Sequence, residues 1–325
     1  MEKFALWTND VETTSIWFNT LRDETGFKVW KEGMPILLDI YEKYGIKSTF
    51  FFTGYIARLY PDIVKMIQRH GHEVASHSYS HKKEDGLDVL PYDQQLWQMR
   101  ESKKVLEDIS GEAVISFRSP ALRLSQNSAQ ALIEAGYRID SSVASQRFDM
   151  FMSFGGRKKL NWLKAPRLPY RADAQNIFKP GDSPLVEVPL SATLFPYVST
   201  TMRVFPVITS LQRRMLGAES AWSGKPIVFD IHPNEFIDES GEKRTIERRN
   251  KNGLSYLLKD VLRAQLKVKN LGQAAIPLYE REIAFYQDRD FKFITLKDYC
   301  QRLGLLTAQA GTTYQPTSAS EASGS

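Results

Sequence analysis

The chain has a single cysteine, Cys300, in 325 residues, which excludes an intrachain disulfide and fits a reducing compartment. No stretch approaches the roughly 18–20 consecutive apolar residues of a membrane span. There is no GxGxxG or P-loop pattern, so a dinucleotide or ATP site is not expected. No recognisable DNA- or RNA-binding motif occurs either, and nucleic acid is not an expected partner. The opening residues, Met1-Glu2-Lys3-Phe4-Ala5-Leu6-Trp7, enter a strand pattern at once and leave no room for a signal peptide. The expectation is therefore a cytoplasmic protein.

What is present is enough apolar material for a large core, 42% hydrophobic and 12% aromatic residues, organised as alternating short apolar runs and amphipathic helical patterns. Residues 4–8, 47–53 and 74–76 read as strands. Residues 34–44, 62–69 and 92–109 read as helices, the second with Pro61 in its first turn and the third closed by Gly111. A βαβα order of this kind argues for parallel strands with crossover helices, in a barrel or an open doubly wound sheet. Residues 150–225 and 238–290 are less regular. Strands are expected at 185–190, 227–231 and 291–295, with helices at 254–267 and 296–303. From residue 307 the composition is too polar to order a core, and a disordered tail is expected over 307–325.

The net charge is +5 with a pI near 9.0. The excess is uneven: Arg157, Lys158, Lys159, Lys164, Arg167, Arg171 and Lys179 cluster in one stretch, and Arg203, Arg213 and Arg214 in another. Attraction to an anionic substrate or membrane surface is the functional reading. The proline-broken apolar segment 194–208, beside the second cluster, could rest on an inner leaflet as a peripheral contact.

The chemistry-bearing residues stand at the ends of the strand-like runs. His77 and His81, four residues apart, share a face if the segment is helical, which suits chelation of one divalent metal. Asp10 and Glu12 are two carboxylates on one face of a strand end, a pair that repels unless a cation or proton intervenes. Imidazole plus carboxylate is the usual make-up of a hydrolytic zinc site. Arg118 lies in Phe117-Arg118-Ser119-Pro120, Asp140 in Arg138-Ile139-Asp140-Ser141-Ser142, and His232 in Phe229-Asp230-Ile231-His232-Pro233.

These five stations, in this order, resemble the polysaccharide deacetylase family (carbohydrate esterase family 4, the NodB-homology domain), over about residues 4–305 and with an Asp-x-Glu first motif. The resemblance implies an α/β fold, a distorted (β/α)7 barrel, as a single domain over 1–306. It implies Asp10 as catalytic base, Glu12, His77 and His81 as ligands of one divalent metal, and Arg118 as the partner of the base. It further implies His232 as the acid for the leaving amine, oriented by Asp140. Zn²⁺ is the first choice for the metal, with Co²⁺, Ni²⁺ or Fe²⁺ as alternatives. Val11 stands where more familiar members have a second adjacent Asp. No tryptophan follows Asp140 closely, and Phe148 is the nearest aromatic.

The implied reaction is hydrolysis of a linear amide, removing an N-acyl group, N-acetyl first, from an amino sugar of a glycan or of a lipid- or nucleotide-linked precursor. Rival readings are a lipid-linked sugar deformylase, an allantoinase-like hydrolase of small amides, and a catalytically silent glycan-binding protein on the same fold.

Overall fold

The computed structural model describes residues 2–145, 162–244 and 261–306. The expected tail 307–325, Arg157, Lys158, Lys159, Phe148 and residues 254–260 of an expected helix lie outside these. Among the described residues ten strands form the main sheet: β1 (Lys3–Val11), β2 (Thr49–Phe52), β3 (Glu73–Ser76), β4 (Ser116–Phe117), β5 (Ile139–Asp140), β6 (Tyr170–Asp173), β7 (Asn176–Pro180), β8 (Val186–Glu187), β9 (Ile227–Ile231) and β10 (Phe291–Phe293). The helices are α1 (Asp23–Lys28), α2 (Met34–Lys43), α3 (Gly54–Leu59), α4 (Pro61–Arg69), α5 (Tyr92–Ser110), α6 (Ser128–Glu134), α7 (Ser199–Val204), α8 (Pro206–Ser223), α9 (Leu262–Lys267), α10 (Ile276–Gln287) and α11 (Leu296–Arg302).

Seven strands run parallel in the order β9-β1-β2-β3-β4-β5-β8. The chain just after β8 returns to β9, where Ser191 N–H donates to Val228 O at 3.1 Å and Val228 N–H to Ser191 Oγ at 3.0 Å. The sheet thus curls into a distorted (β/α)7 barrel. β6 and β7 extend it as antiparallel strands beyond β8, and β10 pairs with the first residues of β1. The irregular stretch expected at 150–225 accordingly contains regular elements: β6 to β8, α7 and α8.

β1 shows how the barrel sorts its side chains, since alternate residues point to opposite faces. Trp7 stacks on Phe229 with ring centroids 5.2 Å apart and meets Tyr286 and Phe293 edge-on, in the layer between strands and helices. Asn9, on the same face, accepts a 2.5 Å hydrogen bond from Tyr41 Oη of α2. Thr8 and Asp10 point the other way, into the barrel, where both meet Arg118. Both faces are buried, so the strand reads as a continuous run rather than an alternating one.

The helix ends match their sequence signals. Pro61 occupies the first turn of α4, and Gly111 closes α5 in the left-handed region at φ 69°. One close approach matters for the site. Between α1 and α2 lies a π-helical turn, Val29–Gly33, whose Gly33 packs against the backbone beside His232; a Cβ there would meet Pro233 O at 2.3 Å.

Candidate active site

The site lies where β1, β3, β4 and β9 end. The His77/His81 pair is not helical, contrary to the sequence expectation. His77 follows directly on β3, its N–H bonded to Phe52 O. Ser78 then takes a left-handed turn at φ 63°, and this turn brings His81 back beside its partner, ring centroids 5.5 Å apart. A strand end and a turn do the work assigned to one helix face.

His77 Nδ1 lies 2.9 Å from Arg118 O. A carbonyl can only accept, so Nδ1 carries the proton and Nε2 presents a bare lone pair to the site. Nε2 is buried without a hydrogen-bond partner, as is Glu12 Oε2. His81 Nε2 comes within 2.9 Å of Glu12 Oε2 but off the line a hydrogen bond requires. Ligand atoms from Glu12, His77 and His81 all fall within 4.8 Å of one another. Buried polar atoms left unsatisfied are costly, and one carboxylate plus two imidazoles suits a borderline divalent ion. These residues therefore fit a metal. A second group, Asp10, Asp230 and His232, is equally compact, but there Arg118 Nη1 already sits 3.1 Å from Asp10 Oδ1 and 2.7 Å from Asp230 Oδ1. The guanidinium takes the place a cation would need.

Burial opposes charge throughout, and the neighbours decide each outcome. Desolvation would raise Asp10, but His77, Arg118 and His232 outweigh it and hold the carboxyl below its usual range. Glu12 is pushed down to about 2, desolvation being overcome chiefly by His81. Desolvation takes His77 down to about 4. Asp230 goes the other way, raised to about 8 by desolvation and by the charge of Asp10. It is thus protonated at neutral pH, which leaves the charge of Arg118 for Asp10.

Arg118 does not grip Asp10 in the two-pronged fork a guanidinium can offer. Nη1 is shared among Thr8 Oγ1, Asp10 and Asp230, while Nε and Nη2 bind Ser141 O and Ser141 Oγ at 2.8 and 3.0 Å.

His232 is the largest departure from expectation. Its carboxylate neighbour is Glu235, with Oε1 3.5 Å from Nδ1. Desolvation would lower this imidazole, but Glu235, then Asp230, Asp10 and Glu12, raise it to about 10. Glu235 is buried and itself held by Ser199 Oγ and Arg203 Nε of α7, and its pKa falls to about 2 because Arg203 and His232 overcome its desolvation. Asp140, expected to orient His232, does not contact it. It faces Glu187 directly across the β5–β8 pair, accepts from Ser142 Oγ at 2.6 Å, and is fully buried. Burial raises both carboxyls, Glu187 the more strongly because Asp140 adds to it. Two carboxyls so placed share a proton.

Asp230 and Glu235 are the functional residues the sequence reading missed. Both had a signal. Asp230 precedes His232 by two on a strand and so shares its face, and Glu235 follows it by three across a proline-started 3₁₀ turn, the spacing at which such a turn aligns side chains. Beside His81 a cleft of about 580 Å³ opens, walled by Tyr55, Tyr79, Trp97 and Asp85.

The family model described as polysaccharide deacetylase matches residues 19–139. The Helicobacter pylori protein named peptidoglycan deacetylase is 25% identical over 191 residues, 55% of this chain and 62% of that protein. The Bacillus cereus peptidoglycan-N-acetylglucosamine deacetylase is 30% identical over 108 residues, 33% of this chain and 38% of that one. The chain thus spans less than two thirds of the length of these curated relatives. A probable polysaccharide deacetylase from Pseudomonas aeruginosa PAO1, known from its crystal structure, superposes over 96% of this chain and 92% of its own with a TM-score of 0.59 at 14% identity. That likeness is one of fold. The barrel is of the NodB type. Over residues 19–139 the chain matches the polysaccharide deacetylase family, and the curated relatives it resembles carry deacetylase names.

Proposed function

We propose that the protein is a metal-dependent amide hydrolase that removes an N-acyl group, N-acetyl first, from an amino sugar of a glycan or of a carrier-linked glycan precursor. The observation that carries this reading is the opposition of two devices across a few ångströms: an ionised Asp10 beside the unsatisfied Glu12 and His77 atoms, and a protonated His232 on the far side. The names of the curated relatives support the same chemistry.

Glu12, His77 and His81 would hold the ion. When bound there, a divalent metal would polarise the acyl carbonyl and acidify a water. The chain's own groups supply the rest. Asp10, the anion beside the Arg118 guanidinium, takes a proton from the attacking water. Arg118 fixes the position of that carboxylate, and protonated Asp230 keeps the guanidinium from being neutralised twice. His232 binds Glu235 through Nδ1, so Nε2–H is the proton that goes to the departing amine, which leaves poorly as an anion. The cleft walled by Tyr55, Tyr79 and Trp97 offers aromatic faces on which a sugar ring can stack.

A chitooligosaccharide, UDP-N-acetylglucosamine and an N-formyl amino sugar, assayed side by side on metal-loaded protein, sort the polymer, carrier-linked and deformylase forms of this reading. Acid release from at least one is expected. Release from none, with a small cyclic amide turned over instead, would move the assignment to the allantoinase-like form; turnover of nothing would leave a binding protein.

A further inference from the structure

We propose that the outward face of α8 seats the protein on an anionic membrane surface. This rests on the helix itself and not on the reaction proposed above.

α8 is built the wrong way round for a helix that only covers a barrel. Its buried residues are mostly polar: Thr209, Gln212, Arg213, Leu216 and Ser220. Its exposed side carries Val207 at 82%, Leu211 at 60%, Met215 at 53% and Trp222 at 87% exposure. These recur at helical spacing and form one stripe along the whole helix. Phe205, also exposed, extends it at the N-terminal end, next to α7 and so to the Ser199 and Arg203 that hold Glu235. The one acid of the helix, Glu219, is tied to Arg167 at 2.6 Å and Lys225 at 3.3 Å. The only charge on the exposed side is Arg214, which has no ion-pair partner among the described residues. A solvated helix face normally carries the reverse pattern.

Charge selects the occupant. Beside the stripe lies a cleft of about 560 Å³ lined by Lys3, Arg213, Arg214 and Arg289, with no carboxylate among the described residues of its wall. Of these, Arg213 is committed to Glu282 at 2.8 Å. Two copies of this face would set like charges against each other, which disfavours self-association. An anionic lipid surface satisfies both parts at once: the stripe enters the acyl boundary, and the cations meet headgroups. Trp222 and Arg214 are the residue types that straddle such a boundary, each with an apolar body and a polar end.

The test is flotation of the full chain with phosphatidylcholine vesicles, with and without phosphatidylglycerol, at low and high salt. Wild type should float with the anionic vesicles at low salt and stay behind with phosphatidylcholine alone. The double variant Leu211→Glu, Met215→Glu should lose at least ~tenfold of that partitioning, with its melting temperature and its turnover of a soluble substrate unchanged. Arg214→Glu should weaken binding and flatten its salt dependence. Absence of wild-type flotation, or equal flotation of the double variant, overturns the proposal. So does a concentration-dependent dimer in sedimentation equilibrium that the double variant abolishes, which would give the face to a second copy.

Discussion

The two histidine–carboxylate groups of the site differ in one respect that sets their chemistry apart. Around Glu12, His77 and His81 the polypeptide leaves buried polar atoms without partners. Around His232 it leaves no such atom on Glu235, whose oxygens take Ser199 and Arg203 while Arg203 goes on to the carbonyls of Lys267 and Lys269. An unsatisfied buried polar atom costs about 1–3 kcal/mol, a cost that a bound ion at the first group would relieve. The second is complete by itself. On the function proposed above, the first half would hold an ion and the second a proton.

The sharpest way to break the contrast is to delete a ligand from the incomplete half. His77→Ala should abolish metal binding, read by plasma mass spectrometry without a histidine tag, and lower turnover by on the order of 10⁴-fold. The chelated wild type should melt at lower temperature than the loaded one, and the variant should show no such difference. If the variant keeps its metal, the assignment of the cluster fails.

Asp10→Asn separates holding the ion from moving the proton. Metal content should stay while kcat falls by on the order of 10³-fold; unchanged turnover would show that Glu12, not Asp10, takes the proton.

Glu235→Gln tests the complete half. It should lower kcat by roughly ten- to a hundredfold and shift the alkaline limb of the kcat profile from the neighbourhood of 10 toward the ordinary histidine value near ~6.5. Asp140→Asn should leave that limb in place. A limb that follows Asp140 instead would restore the expectation drawn from the family resemblance. Because any bound dication depresses both profiles alike, the gap between the two proteins is the readout.

The smallest effect is on stability. Glu235 is depressed to about 2 in the fold, so its contribution is present above the unfolded value near ~4.5 and is lost as pH falls through about 2. His232 is raised to about 10, so its share is present below ~6.5 and is lost as pH rises through about 10. The melting gap between wild type and Glu235→Gln should therefore be widest near neutrality, where it reflects on the order of 3 kcal/mol for breaking a buried pair. It should close toward either extreme, and a pH-independent gap would show a packing defect instead.

Much of the barrel is legible in the sequence because parallel strands buried on both faces write themselves as apolar runs, and β9 matches its run residue for residue. The strand ends are legible for the same reason: polar residues that interrupt such runs must have a use. Two things are not. The His77/His81 spacing fits a helix as well as it fits the turn at Ser78, since both bring the imidazoles together. And α8 gives no hint of which side faces the barrel, because an apolar stripe reads the same whether it points in or out; only the packing shows that it points out. Asp140 meets Glu187 rather than His232 for a third reason. A residue carried over by resemblance keeps its place in the chain but not its neighbour, and here Glu187 stands where that neighbour would be sought.

His232 and Glu235 leave the same strand and share one short turn. When an acid and the group that tunes it come from distant strands, every insertion between them risks detuning the pair, and the intervening chain is held under selection. Here the pair is a cassette of four consecutive residues. The chain between β5 and β8, whose described residues do not line the cleft beside His81, then has no part in tuning that imidazole.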